Sequence, residues 1–245
     1  YKSRTGNTCA NVYTNGKYTM ACPMRSRSDA GDSLIDFTDN VGIPEELMTD
    51  LAGEFTGPNK EFIKQSRRMR IKLLSAEKGR KNQNHHAERE IGTLKKRWQQ
   101  RMIRAKVPRR LWDFGIVYEC EIMSRMSRGK DGRTGYEEVT GNTPDISEWL
   151  DFDFYDLVWF WDLGQTHPSP KKRLARWLGV AHRVGSDLCY WLMTENGKLV
   201  ANTSVEHVTH SDRQEDGIAK TISGFDSKLK GVLLSLIHIS EPTRP

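Results

Sequence analysis

The run from Asn84 to Lys106 constrains this chain most. Wound at helical pitch, Ile91, Leu94, Trp98, Met102 and Ala105 fall within about 80° of one another, a stripe that must be buried against other elements. The rest of the run is mostly Lys, Arg, Gln and Glu, until Pro108 stops it. A helix this long and this one-sided needs a packed partner layer, so the chain cannot be a loose polar tail.

The segments before it supply that layer. Thr8–Thr14 and Tyr18–Pro23 are β-rich runs around Asn15-Gly16, a strong hairpin signal. "SDAGDSLIDFTDNVG" predicts a helix capped by Ser28 or Asp29 with Leu34, Ile35 and Phe37 inward. "EELMTD" and "IKLLSAE" read as short strands, separated by a helix after Pro58 that buries Phe62, Ile63 and Met69. Arg110–Arg128 predicts a further helix. The order strand, strand, helix, strand, helix, strand, helix is that of an α/β fold with a mixed sheet.

Charge is segregated along the chain. Lys60–Arg110 holds 18 Lys/Arg against 4 Asp/Glu, whereas Leu111–Leu163 holds 4 against 12. The whole chain is only +6 at pH 7. The basic block therefore predicts a surface for a polyanion, with solvated helix faces as the plain alternative. Cys9, Cys22, Cys120 and Cys189 show no metal-ligand spacing and predict reduced thiols in an intracellular protein. No apolar run is long enough for a membrane span. The chain opens on Tyr1 rather than Met and reads as a piece of something longer.

Glu88 stands near the start of the basic helix, at the edge of its apolar stripe. Gly92, Lys95, Lys96, Gln99 and Lys106 follow on one strip beside it. A carboxylate that holds a cation, followed by turns that grip a phosphate backbone, would look like this. A first-turn Glu favoured by the helix dipole would too. Asp50 closes the "EELMTD" strand, and strand-end acids in α/β proteins face the crevice where ligands bind. Glu54, four residues on, reads either as a solvated turn residue or as a supporting acid. His85 and His86 flank the site.

"TDLAGEF" and "NHHAER", with Asp50 and Glu88 inside them, resemble the two motifs of the integrase core of copia-type (Ty1/copia) retrotransposon Pol polyproteins. The resemblance covers about Asn7 to Lys130. It implies an RNase H-like α/β fold whose first strand is missing from this chain. It further implies a metal-dependent polynucleotidyl transferase joining element DNA to target DNA. Asp50 and Glu88 would be catalytic and metal-binding, holding two Mg²⁺ (or Mn²⁺) ions together with a third acid on that missing strand. Asp29, Asp32 and Asp36 follow the hairpin and cannot replace it. Arg89, Lys95, Lys96, Gln99 and Lys106 would contact DNA. The implied partners are element and target DNA and further copies of the chain, acting in the nucleus, with no membrane. As it stands the chain would lack a complete site, which leaves a non-catalytic nucleic-acid-binding relic, or another RNase H-like nuclease, as rival readings.

Four segments are expected: the core at 1–130, an acidic aromatic linker at 131–170, a small all-β module of SH3-like barrel type at 171–212, and a disordered tail at 213–245. Lys171, Lys172, Arg173 and Arg176 offer the β module a second DNA contact, although a plain structural barrel is equally compatible. Trp149, Trp159 and Trp161 are candidates to stack on bases, but an aromatic run beside so many acids reads as core or a docking segment. "LSLIHISEPTRP", Leu234–Pro245, resembles translated adaptor sequence and is set aside.

Overall fold

A computed structural model describes residues 2–50, 55, 60–75, 85–162, 164, 171–182, 184–185 and 187–238, with side chains to 233. Glu54 lies outside these residues. The chain divides into two compact units: Tyr1–Ile103 with Arg109–Ile146, and Arg104–Pro108 with Ser147–Pro245.

In the first unit, β1 (Cys9–Thr14) and β2 (Thr19–Met24) form the expected hairpin, with Thr14 opposite Thr19 and Cys9 opposite Met24. The Asn15 side chain accepts hydrogen bonds from the amides of Lys17 and Tyr18, and Gly16 takes φ 91°, a region that favours glycine. α1 (Ala30–Val41) follows a single 3-10 turn, and β3 (Glu46–Thr49) follows α1. Asp29, one of the two expected caps, holds the N-cap position of α1 without a side-chain cap bond, and its carboxylate instead accepts from the Ser26 amide in a capping box that Ser26 opens on the 3-10 turn. After α2 (Glu61–Arg68), β4 (Lys72–Ser75) pairs parallel to β3. α3 (His85–Arg104), α4 (Trp112–Met126) and α5 (Gly135–Thr140) complete the unit.

The hairpin is buried on both faces. Tyr13, Cys22 and Met24 pack with Leu34 and Phe37 of α1 and Phe62 of α2. Val12 and Ala21 face the opposite way, onto Leu94 of α3 and Cys120 and Met123 of α4. Alternate residues of a strand point to opposite faces, so a strand between two helical layers is apolar at consecutive positions. Ser124 of α4 pins the hairpin by accepting from the Thr19 amide and donating to its carbonyl, both at 2.8 Å. α3 and α4 meet where Gly115 leaves room for the Trp98 ring: a Cβ there would lie 2.2 Å from it. Glu119, 1% exposed, receives Arg97 and Arg101 from α3.

The second unit starts its regular structure with α6 (Ser147–Leu150). Its centre is a five-stranded antiparallel sheet of β5 (Leu157–Trp161), β6 (Lys172–Val180), β7 (Tyr190–Thr194), β8 (Leu199–Asn202) and β9 (Val205–His207), in the order β8-β7-β6-β5-β9. Four of these strands follow Lys171, inside the stretch expected as an all-β module, with the β7–β8 turn at Gly197. Two corrections follow. β5 lies inside the stretch expected as a linker and is a central strand. Much of the expected tail is helical, as α7 (His210–Gln214) and α8 (Asp216–His238). Among the described residues the ladder ends at β8 and β9, and no backbone ladder closes it into a barrel. Of Leu234–Pro245, residues 239 to 245 lie outside the described residues, and 234 to 238 end α8.

Candidate nucleic-acid interface

β1, β3 and α3 enclose a cleft of about 1010 Å³ within the first unit. Asp50, directly after β3, is exposed and lines it. From α3 come His86, Ala87, Ile91 and Lys95. Glu88 sits in the first turn of α3 and is exposed, but it is not among the described residues that line the cleft. The two acids thus stand at the end of one element and the start of another, with the cleft touching Asp50 itself and the two residues before Glu88. The His85 and His86 rings lie 3.8 Å apart.

α3 separates its cations by face. Arg97 and Arg101 turn inward to Glu119, and Arg101 also covers the Tyr118 ring at 4.9 Å. Arg89, Lys95, Lys96 and Gln99 are exposed, and the three cations form no ion pair among the described residues. Lys95 at the same time borders the cleft. Lys106 departs from the expected strip: α3 ends at Arg104, and Lys106 lies beyond it at φ 53°. The physical reason is Pro108, which bars Val107 from helical backbone and forces the helix to end early.

The basic cluster of β6 is built differently. Lys172 meets Glu206 at 2.6 Å, and Arg173 meets Asp162 at 3.1 Å. Arg176 grips both oxygens of Asp226 at 2.6 and 2.8 Å and stacks over Tyr155 at 4.7 Å. Burial pushes the Tyr155 phenol up to about 12, against the pull of that guanidinium. Trp149 is buried, whereas Trp161 is 39% exposed and donates to Glu206. The four cysteines form no disulfide. Among the described residues no helix is long and apolar enough to cross a membrane.

Carboxylate oxygens are the right donors for Mg²⁺, but their number matters as much as their type. The described residues contain no group of three or more His, Cys, Asp or Glu able to hold a metal. Asp50 and Glu88 therefore do not make a complete two-ion centre by themselves.

No protein-family profile matches the chain, and no curated protein sequence does. Solved structures similar to it include a chain of the simian T-cell lymphotropic virus intasome in complex with PP2A regulatory subunit B56 gamma. That chain is 13% identical with a TM-score of 0.47, the match covering 81% of this chain and 70% of that one. The HTLV-2 integrase catalytic core domain in complex with magnesium, in its trimeric form, is 15% identical with a TM-score of 0.44, covering 57% and 89%. Its dimeric form gives 13% and 0.41, covering 52% and 90%. At such identities and scores the likeness assigns no residue a role.

Proposed function

We propose that the first unit is the larger part of a retroelement integrase core of copia type, whose work is DNA integration, and that the exposed face of α3 is where it holds the DNA backbone. The observation that carries this reading is that Lys95 and Lys96 are exposed and form no ion pair among the described residues, on a helix whose Lys95 borders the cleft that Asp50 also lines. Cations left without acidic partners on a rigid helix form a fixed positive strip, and such a strip binds phosphates irrespective of base sequence. Asp50 and Glu88 supply two of the carboxylates that metal-dependent phosphoryl transfer requires, and a third must come from elsewhere. The reading carries with it further copies of the chain as partners and the nucleus as the place of action.

Fluorescence anisotropy with two unrelated duplexes of equal length, over a range of salt, tests the proposal. Each phosphate contact contributes roughly 0.9 to the slope of log affinity against log salt. Replacing both Lys95 and Lys96 by Ala should flatten that slope by about 2 on either duplex. An unchanged slope, or a loss on one duplex alone, would overturn the reading. Mn²⁺ titration followed by electron paramagnetic resonance addresses the acids: Asp50→Asn and Glu88→Gln should each weaken binding at least tenfold. Equal Mn²⁺ affinity in all three proteins removes the metal from the proposal.

A further inference from the structure

The sheet of the second unit carries an aromatic and charged cluster outside its core. Trp159 and Trp161 stand two residues apart on β5, so they share one face of the sheet. Strand pairing sets Lys172 of β6 opposite Trp161, and Glu206 of β9 opposite Trp159. Residues opposite one another lie on the same face, which gathers two indoles, an ammonium and a carboxylate in one place. α7 adds a second carboxylate, Asp212.

The contacts inside the cluster fix what it attracts. The Trp161 indole donates to Glu206 at 2.9 Å, and the Trp159 indole donates to Asp212 at 3.3 Å. Each ring is held by its edge. The Lys172 ammonium lies 5.5 Å from the centre of the Trp159 ring and 2.6 Å from Glu206. An aromatic face beside a carboxylate is what draws an alkylammonium ion, so Lys172 fills a cation site from within the chain. Its hold is loose, because Lys172 and Glu206 are 41% and 49% exposed, and a pair this open contributes little. Two carboxylates around one ammonium also leave the cluster short of positive charge.

From this we infer that the cluster is a binding site for a trimethylated lysine of a protein partner, and that Lys172 occupies it until the partner displaces it. An unmodified lysine from outside has no advantage over Lys172, whose tether gives it a high local concentration. Methylation reverses the balance, since a quaternary ammonium group is the cation that an aromatic face recognises best. The carrier is a polypeptide because β9, which holds Glu206, is paired on one side only among the described residues. An extended segment laid along that edge brings a side chain beside Glu206. The inference is independent of the nucleic-acid reading and uses no residue of α3.

The probes are three capped peptides, Ser-Thr-Lys-Val-Thr with its lysine trimethylated, unmodified, or replaced by the neutral carbon analogue that ends in a tert-butyl group. NMR of the full chain follows the indole N–H signals of Trp159 and Trp161. The trimethylated peptide should shift both signals and bind about tenfold more tightly than either of the others. Lys172→Ala removes the internal competitor and should tighten that binding severalfold. Trp161→Leu, at a position 39% exposed, should weaken it about tenfold. If either variant does not fold, the three peptides on the unaltered protein still decide. Equal binding of the trimethylated and tert-butyl peptides overturns the proposal, because apolar contact alone would then account for it. Unchanged affinity in a folded Lys172→Ala protein overturns it as well. So does choline binding as tightly as the trimethylated peptide, because the site would then need no polypeptide.

Discussion

On α3, Lys95 and Lys96 stand exposed with no acidic partner among the described residues, while on β6 Lys172, Arg173 and Arg176 each close an ion pair. In the sequence the two clusters look alike, as short runs of Lys and Arg beside tryptophan. The fold separates them. Antiparallel pairing with β7 brings Glu195 to the basic strand, β9 supplies Glu206 from the far side of β5, and α8 brings Asp226. On α3, Glu119 of the neighbouring helix takes Arg97 and Arg101, and among the described residues no acid closes an ion pair with Lys95 or Lys96. Availability for a polyanion is set by which acids the topology delivers, and local charge count does not reveal it.

The largest test of that contrast is aimed at the compensated side of α3. Glu119→Ala leaves Arg97 and Arg101 facing a partly buried site without their carboxylate. Removing one partner of a buried pair costs about 3–5 kcal/mol, toward the lower end here because Arg97 is partly exposed. Chemical denaturation should show the loss, while the slope of DNA affinity against salt stays as it was. A parallel loss of slope would mean that the two faces of α3 are not separate devices.

Next in size is the open face. Losing two phosphate contacts at about 0.1 M salt weakens DNA binding by roughly one to two orders of magnitude, so Lys95→Ala with Lys96→Ala should do so without lowering thermal stability. Arg176→Ala is the converse. It removes a two-pronged contact to Asp226 and a stacked guanidinium, and charged hydrogen bonds of this kind contribute about 1.5–3 kcal/mol when shielded. Asp226 is 46% exposed, which brings the expected loss to about 1 kcal/mol. DNA affinity should not move. If it falls tenfold, the second unit is also a DNA surface and the comparison fails.

How much of this was legible in the sequence depends on whether the deciding contact is local. Asn15-Gly16 announced the hairpin because an Asx turn is made by its own residues. The α3 stripe announced Leu94 and Trp98 as buried, and they are. β5 was hidden because Asp153, Asp156 and Asp162 surround a run that reads as core only once β6 and β9 pair with it. α8 was hidden by its glycines and polar residues. Its stability comes from burying Phe225, Leu229 and Leu233, one turn apart, which is a tertiary effect. The partner of Glu119 was equally hidden, since a buried acid in a helix looks like any other glutamate until α3 lies across it. For the site, Asp50 at a strand end and Glu88 in a first turn were read from motif and position. Lys106 was read as a helical position, and the helix ends at Arg104, short of the proline.

The smallest expected effect tests the β6 side by pH. Lys172 and the Trp161 indole both donate to Glu206 and hold its carboxyl below the usual range. Backbone bonding at Thr209, helped by the Trp159 indole, does the same for Asp212. A carboxyl whose folded value is depressed binds its proton more readily in the unfolded chain. Its stabilisation is therefore complete above the unfolded value, near 4.5 for a glutamate, and disappears as pH falls through the lower folded value. Melting followed from pH 6 to pH 3 should accordingly show the second unit weakening on acidification. Lys172→Ala takes away the first cause of the Glu206 shift, so NMR titration should find that carboxyl moved up toward the usual range, and the melting curve should respond less to acid. DNA affinity should stay within about twofold, because Lys172 is already committed to Glu206 and an exposed pair of this kind contributes little to binding or stability. A Lys172→Ala protein that loses DNA binding as strongly as the α3 variant would show that a carboxylate within 2.6 Å does not take a lysine out of use, and the distinction between the two basic clusters would have to be drawn on other grounds.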